Sequence, residues 1–240
     1  MDKLLAKTLD SPLNFGPEYQ NKTLINTINA HSYNVAQKDQ EFYRALMKSD
    51  ILIPDGVGVQ IGYKFLTGKW IKKISAYDLF EYEMKQLMKK EGKCFFLGSS
   101  EKVLELISER ARVDFPHVKV KYYSPPYRQE FSPDDNLAMI NAVNAFEPDV
   151  LFVGMTAPKQ EKWSAAHLEK LNVKHVCCIG AVFDFYAKTI KRAPKWMIAL
   201  GLEWFYRLIR EPRRMWRRYV VGNPRFTWLM IKERFSLKNN

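Results

Sequence analysis

Five apolar runs in this 240-residue chain end in residues able to bind or react. TLINTINAHS ends on Thr27 and Asn29, followed by His31 and Ser32, and ILIPDGVGV ends on Asp55, followed by Gly56 and Gly58. FFLGSSEK supplies Gly98, Ser99 and Ser100, LFVGMTAPKQEKW supplies Gly154, Thr156, Lys159 and Gln160, and CCIGAVFDF supplies Gly180 and Asp184. Four of the five carry a glycine, which lets a backbone turn sharply or lie close to a ligand. A carboxylate placed like Asp55 can take a proton in catalysis or cap the next helix. Local sequence leaves both readings open.

Several familiar chemistries are excluded. Gly56-x-Gly58-xxx-Gly62 nearly spells a dinucleotide fingerprint, but its third glycine is one residue late and the acid precedes the turn. NAD is not expected. The chain has no Walker lysine, no GxSxG elbow, no HExxH and no D-x-D pair, and its four histidines are scattered. A nucleotide diphosphate bound here would have to be neutralised by something other than an acid-held metal. Arginine suits that task by charge and by its bidentate donors. Cys94, Cys177 and Cys178 lie in apolar runs without a CxxC pair, which reads as buried reduced thiols in a cytoplasmic protein.

The elements that must position these residues follow from the apolar pattern. Strands are expected over 23–29, 50–54, 93–98, 118–123, 149–155 and 174–180, alternating with helical periodicity over 77–90, 101–113, 133–146 and 158–171. Ser132-Pro133-Asp134-Asp135 reads as a helix start with Ser132 as cap. This alternation predicts an α/β, Rossmann-like fold, a mostly parallel sheet flanked by helices, with ligands at the carboxyl ends of the strands.

Charge divides the chain in two. Lys plus Arg against Asp plus Glu is 24 against 23 over residues 1–186 and 14 against 3 over residues 187–240, so the tail holds nearly all of the net +12. We read 1–190 as the catalytic domain and 191–240 as a basic helical appendage. Arg192-Ala-Pro194 should open one helix, and Glu211-Pro212 should close it and open another. Arg207, Arg210, Arg214 and Arg217 then fall at steps of three, four and three, one stripe of a helix interrupted at Pro212. The amino terminus has no run long enough for a signal peptide, and WMIALGLEWFYRLI (196–209) is too short to span a bilayer.

NTINAHSYNVAQKD, SDILIPDGVGV, FFLGSSEKV, DVLFVGMTAPKQEKW, GAVFDFYAKTIKRAP and GLEWFYRLIREPRR occur in the order and spacing of the WecG/TagA/CpsF glycosyltransferases. The chain resembles that family over about residues 23–225. The resemblance implies an inverting transfer, without metal or cofactor, of an N-acetylmannosamine-type hexose from a UDP-sugar to a polyprenyl-diphosphate-linked saccharide. It implies self-association, and work at the cytoplasmic face of the cell membrane. It assigns Asp55 as general base and Thr27 to the sugar site, with Asn29 and Gln160 at recurrent pocket positions. Arg207, Arg214 and Arg217 match arginines that close over the diphosphate. Gly56, Gly98 and Asp184 join the expected substrate-binding set as strand-end residues. The remaining tail cations, with Trp216, Tyr219 and Trp228, are expected to rest on anionic lipid.

Two departures bear on sugar-site geometry and donor identity. Where the family often has Arg and Gly after the Asp-Gly turn, this chain has Lys73 and Ala76 ahead of Asp78. A common Pro-Asn-x-Glu segment reads Ile28-Asn29-Ala30-His31. The first 20 residues also do not recover the family's usual opening strand and helix. The competing classes are a nucleic-acid-binding protein that uses the basic tail and a catalytically idle membrane-peripheral scaffold. We take the enzyme, with no nucleic-acid partner, as the expectation.

Overall fold

A computed structural model describes residues 2–8 and 22–238. Six strands form one all-parallel sheet: β1 (Thr23–Ile28), β2 (Ile51–Pro54), β3 (Lys93–Gly98), β4 (Lys119–Tyr123), β5 (Val150–Gly154) and β6 (His175–Cys178). Their order is β2-β1-β6-β5-β3-β4. The strands lie where apolar runs were bounded by turn residues, and each boundary moves by no more than two residues. The expected α/β, Rossmann-like class is observed.

Side-chain alternation along the strands separates two packed layers. Ile25, Ile53, Phe96, Phe152 and Cys177 point to the face covered by α5 (Ala76–Lys89), α6 (Glu101–Asp114) and α9 (Val182–Tyr186). Leu24, Phe95, Leu97, Leu151, Val153 and Cys178 point to the face covered by α3 (Gln40–Met47), α7 (Pro133–Asn144) and α8 (Lys159–His167). All three cysteines are buried and free of disulfides. Ser132 caps α7 in a reciprocal capping box with Asp135, as its local sequence requires.

A third core lies at the β2 edge. Leu4 and Leu5 of α1 (Lys3–Ala6), Tyr33 of α2 (Ala30–Ala36) and Leu66 of α4 (Val57–Thr67) meet Phe226 and Met230 of the last helix, α13 (Gly222–Lys238). Thr8 forms an isolated parallel bridge with Leu52. Of the divergent opening segment, residues 9–21 lie outside the described residues.

The basic tail therefore shares a core with the body. Phe226 is 4% exposed and meets Tyr33 edge-on at 5.3 Å between ring centroids. Gly62 is small because α13 lies on it: a methyl there would come within 3.0 Å of the Met230 sulfur and the Phe226 ring. Asn34 Nδ2 donates to Gly222 O at 2.7 Å, and Arg234 Nη1 donates to Leu66 O at 2.8 Å.

Ahead of α13 the tail is more broken than its sequence predicts. The first expected helix divides into α10 (Lys195–Ala199) and α11 (Glu203–Arg210), because Gly201 takes a left-handed φ of 73° between them. Glu211, at φ −133° and ψ 58°, separates α11 from α12 (Pro212–Trp216). A π turn over Arg217–Val221 then leads into α13.

Phe226→Ala is expected to cost about 3 kcal/mol, the usual range for emptying a buried aromatic site. A urea titration of the full chain measures it.

Candidate active site

Parallel pairing brings the ends of β1 and β2 side by side, with Thr27 opposite Ile53 and Ile28 opposite Pro54. The backbone N–H of Asp55 donates to Ile28 O at 2.8 Å, extending that register by one residue. Thr27 shares strand parity with Ile25, and Asp55 with Ile51 and Ile53, so both belong to the face covered by α5, α6 and α9. Thr27 is the one residue of β1 that is not fully buried.

Asn29 and Asp55 separate the capping role from the chemical one. Asn29 caps α2: its Oδ1 accepts from His31 N and Ser32 N, both at 3.0 Å, while its own N–H donates to Ser32 Oγ at 2.7 Å. Asp55 does not cap α4. The cap residue is Gly56, at φ 93° with no side-chain hydrogen bond, and it stands against Asn29. The carboxylate is left to its surroundings.

Those surroundings raise its proton affinity. Burial is the main cause and the nearby Glu203 carboxylate adds to it, while Lys73 and Arg218 pull the other way and Asp78 contributes a small further rise. The result is a pKa of about 6. Glu203 comes from α11 in the tail and pairs with Arg192, whose Nε lies 3.6 Å from Glu203 Oε1. Arg192 also donates to Ser75 Oγ at 3.3 Å and stacks over Tyr77 at 4.4 Å. Asp78 is engaged as the capping-box partner of Ser75 at the start of α5. His31 is lowered to about 4, by burial first and by Arg218 second, so its ring is neutral at neutral pH. Gly201 packs on Val57 in the first turn of α4, where an added Cβ would lie 3.4 Å from the Val57 Cβ. The tail thus closes over the residues that follow Asp55.

The four arginines of the expected stripe do not stay together. Arg207 is partly buried and lies over Phe185 at 5.6 Å. Arg210 is exposed beside Tyr206, and Arg214 is exposed in an ion pair with Glu211. Arg217 is exposed and lines an open groove of about 280 Å³ with His31, Lys38 and Arg225. Arg218, which the stripe omitted, turns inward.

Three other expected residues sit at neighbouring strand ends. Gln160 is 4% exposed, its Oε1 accepts from Met155 N at 3.2 Å, and its Nε2 donates to Glu161 Oε1 at 2.9 Å. Gly180 is its neighbour. Burial raises the Glu161 carboxyl to about 7. Gly98 owes its size to backbone packing, because a Cβ would fall 2.6 Å from Gly154 O. Asp184 holds its own loop, with its Oδ1 and its carbonyl both accepting from Thr189 Oγ1 at 3.2 Å.

Sequence reasoning gave Glu203 no role, took Arg192 only as part of a helix start, and left Arg218 among the cations expected on lipid. Glu203 lies in the GLEW block and Arg192 in KRAP, so both were in view. Their link to Asp55 depends on how the tail folds back.

A family model described as glycosyl transferase WecG/TagA/CpsF family matches residues 6–240. The chain is 30% identical over 215 residues to an N-acetylglucosaminyldiphosphoundecaprenol N-acetyl-beta-D-mannosaminyltransferase of Bacillus subtilis, covering 90% of this chain and 81% of that one. A protein of the same name from Bacillus spizizenii is 30% identical over 221 residues, with 91% and 83% covered. Another from Staphylococcus aureus is 24% identical over 224 residues, with 93% and 85% covered.

The raised pKa of Asp55 has a cost in stability. The folded chain holds this proton more tightly than the unfolded one, so the contribution to stability is full below about pH 4 and is lost as pH rises through about 6. Asp55→Asn should therefore raise the melting temperature at pH 8 and lose that advantage below pH 4. Scanning calorimetry at the two pH values checks the sign.

Proposed function

Since the chain belongs to the WecG/TagA/CpsF family and is a glycosyltransferase, we propose that it moves an N-acetylmannosamine-type hexose from a UDP-sugar to a polyprenyl-diphosphate-linked saccharide, with inversion and without a metal. Membership in that family favours the enzyme over the nucleic-acid-binding and scaffold alternatives. The relatives' names supply the acceptor class and the transferred sugar.

Asp55 is the base in this reading. An acceptor hydroxyl oxygen attacks the anomeric carbon on the side opposite the leaving group, and its proton passes to a carboxylate oxygen of Asp55. The bond from the anomeric carbon to the diphosphate oxygen breaks, and its electron pair departs with UDP. One carboxylate suffices for inversion, because no covalent sugar–enzyme intermediate has to form. The observation that carries the reading is a partly buried aspartate at a strand tip, with a pKa of about 6, facing charged groups of a folded-back tail. Such a group is ionised at neutral pH yet basic enough to accept a proton. Thr27 is assigned to the sugar site, and Asn29 and Gly56 shape the turn around it. Gln160 acts from beneath the Met155 and Gly180 loops. Tail arginines meet charge that develops on the leaving diphosphate, so they favour the transition state over the ground state.

The enzyme is proposed to work as a peripheral protein on the inner membrane face. Among the described residues no helix is long and apolar enough to cross a bilayer. Ten exposed large hydrophobic residues, from Trp196 to Phe235, lie among the tail's cations. That combination suits an anionic lipid surface.

With UDP-N-acetylmannosamine and a short-chain polyprenyl-diphosphate-linked N-acetylglucosamine, the full chain should release UDP, with an acid limb near pH 6 and no loss on adding a chelator. Asp55→Asn should lower turnover by about 10²–10⁴; a loss under threefold would remove Asp55 from the mechanism. Sedimentation with vesicles containing anionic lipid should pull down the protein, and raising the salt should release it. Equal binding to neutral vesicles would refute the electrostatic part of the membrane contact.

A further inference from the structure

The tail carries five arginines between 211 and 226, and a continuous helix would direct Arg207, Arg210, Arg214 and Arg217 along one stripe. Two backbone features defeat that geometry. Glu211 is not helical, so α11 and α12 meet at a joint. The segment after α12 then winds as a π turn from Arg217 to Val221, which adds a residue to the turn and shifts the facing position. Arg214 and Arg217 end up exposed, one paired with Glu211 and the other in an open groove with His31, Lys38, Asp39 and Arg225.

Arg218 lies inside. Its positive charge lowers the proton affinity of the Asp55 carboxyl and adds to the burial that keeps His31 neutral. Its neighbours of like charge are Arg207 and Arg214. Arg207 and Arg218 share a second property: the Nε of each is buried without a hydrogen-bond partner among the described residues. Neighbouring guanidiniums, both with an orphaned buried donor, are an unfavourable arrangement unless an anion completes it. Of the carboxylates acting on Asp55, Glu203 already pairs with Arg192 and Asp78 caps α5. That leaves Asp55 as the carboxylate acting on Arg218, one negative charge against two guanidiniums, an arrangement that an anionic ligand would complete.

We propose that Arg218, carried inward by the π turn, is the tail guanidinium that contacts the leaving diphosphate beside Asp55, with Arg207 as its partner and Arg217 outside the contact. This rests on the glycosyltransfer reading above. As the bond from the anomeric carbon to oxygen breaks, the electron pair collects on the diphosphate oxygen, and the Arg218 donors meet it there. The π turn is therefore a register device that selects which of two adjacent arginines reaches the reacting atoms.

The test compares Arg218→Ala, Arg218→Lys and Arg217→Ala in the full chain, with three readouts. In the UDP-release assay Arg218→Ala should lower kcat/KM about a hundredfold, chiefly through kcat, and Arg217→Ala should lose at least tenfold less. The acid limb reports on Asp55, which is faced by Glu203 of α11, Lys73 ahead of α5, Asp78 of α5 and Arg218 of the π turn. Removing the Arg218 cation should move that limb upward, whereas Arg218→Lys should hold its position while still losing rate, because a lysine keeps the charge without the fork. In the third readout, calorimetric titration with inorganic pyrophosphate, Arg218→Ala should weaken binding about tenfold and Arg217→Ala much less. This arm needs no sugar. If the wild-type chain turns over none of the UDP-sugars, the functional reading fails while pyrophosphate still decides the arginine assignment. Thermal melting of each variant separates loss of fold from loss of contact, with Arg218→Lys carrying the test if Arg218→Ala melts early. A larger effect from Arg217→Ala, or an Arg218→Ala that leaves kcat, the acid limb and pyrophosphate binding unmoved, overturns the proposal.

Discussion

The site depends on keeping one carboxylate half out of water without leaving it permanently protonated. Burial and the Glu203 charge raise the proton affinity of Asp55, and Lys73 with Arg218 restrain it. Either influence alone would spoil the base proposed for neutral pH. Full burial without cations would leave a neutral acid, and cations without burial would leave a carboxylate too weakly basic to hold a proton. Two of the four groups in this balance, Glu203 and Arg218, belong to the carboxy-terminal tail. The electrostatics of a strand tip near residue 55 are thus set by chain more than 140 residues away.

Packing makes that remote control dependable. The tail attaches to the helices that follow the two critical strands: α13 rests on α2 and α4 through Phe226, Met230 and Tyr33, and Gly201 rests on Val57. Because Asn29 is the cap of α2 and Gly56 that of α4, a shift of the tail would disturb the same turns that carry the candidate chemistry. Apolar burial and site geometry are coupled through shared elements. The surface of the tail is of another kind, with cations interleaved among exposed tryptophans such as Trp216 and Trp228.

Much of this was legible in the residues themselves. Strands buried on both faces read as continuous apolar runs, and turn residues bounded them. The Ser132 capping box was equally plain, because capping is a local interaction. What depends on long-range packing was not legible. Nothing near Asn29 distinguishes a cap from a ligand contact until the following helix is seen. Gln160 and Glu161 sit in a motif rich in charge, and nothing local reveals that both are buried and bonded to each other. The π turn left no mark at all. Its residues, Arg-Arg-Tyr-Val-Val, are compatible with an ordinary helix, and counting in steps of three and four selected Arg217 where the folded chain turns Arg218 inward. A one-residue change in winding is invisible to a periodicity argument and decisive for which side chain faces the cleft.

The last helix is anchored at both ends, by Asn34 on Gly222 and by Arg234 on Leu66, with two core side chains between. The stretch from Pro194 to Val221 contains two non-helical joints, Gly201 and Glu211, and buries Met197 and Met215. A chain clamped at its far end and bent twice on the way acts as a fixed template, so the spacing of the side chains it lays over the strand tips is dictated by its backbone.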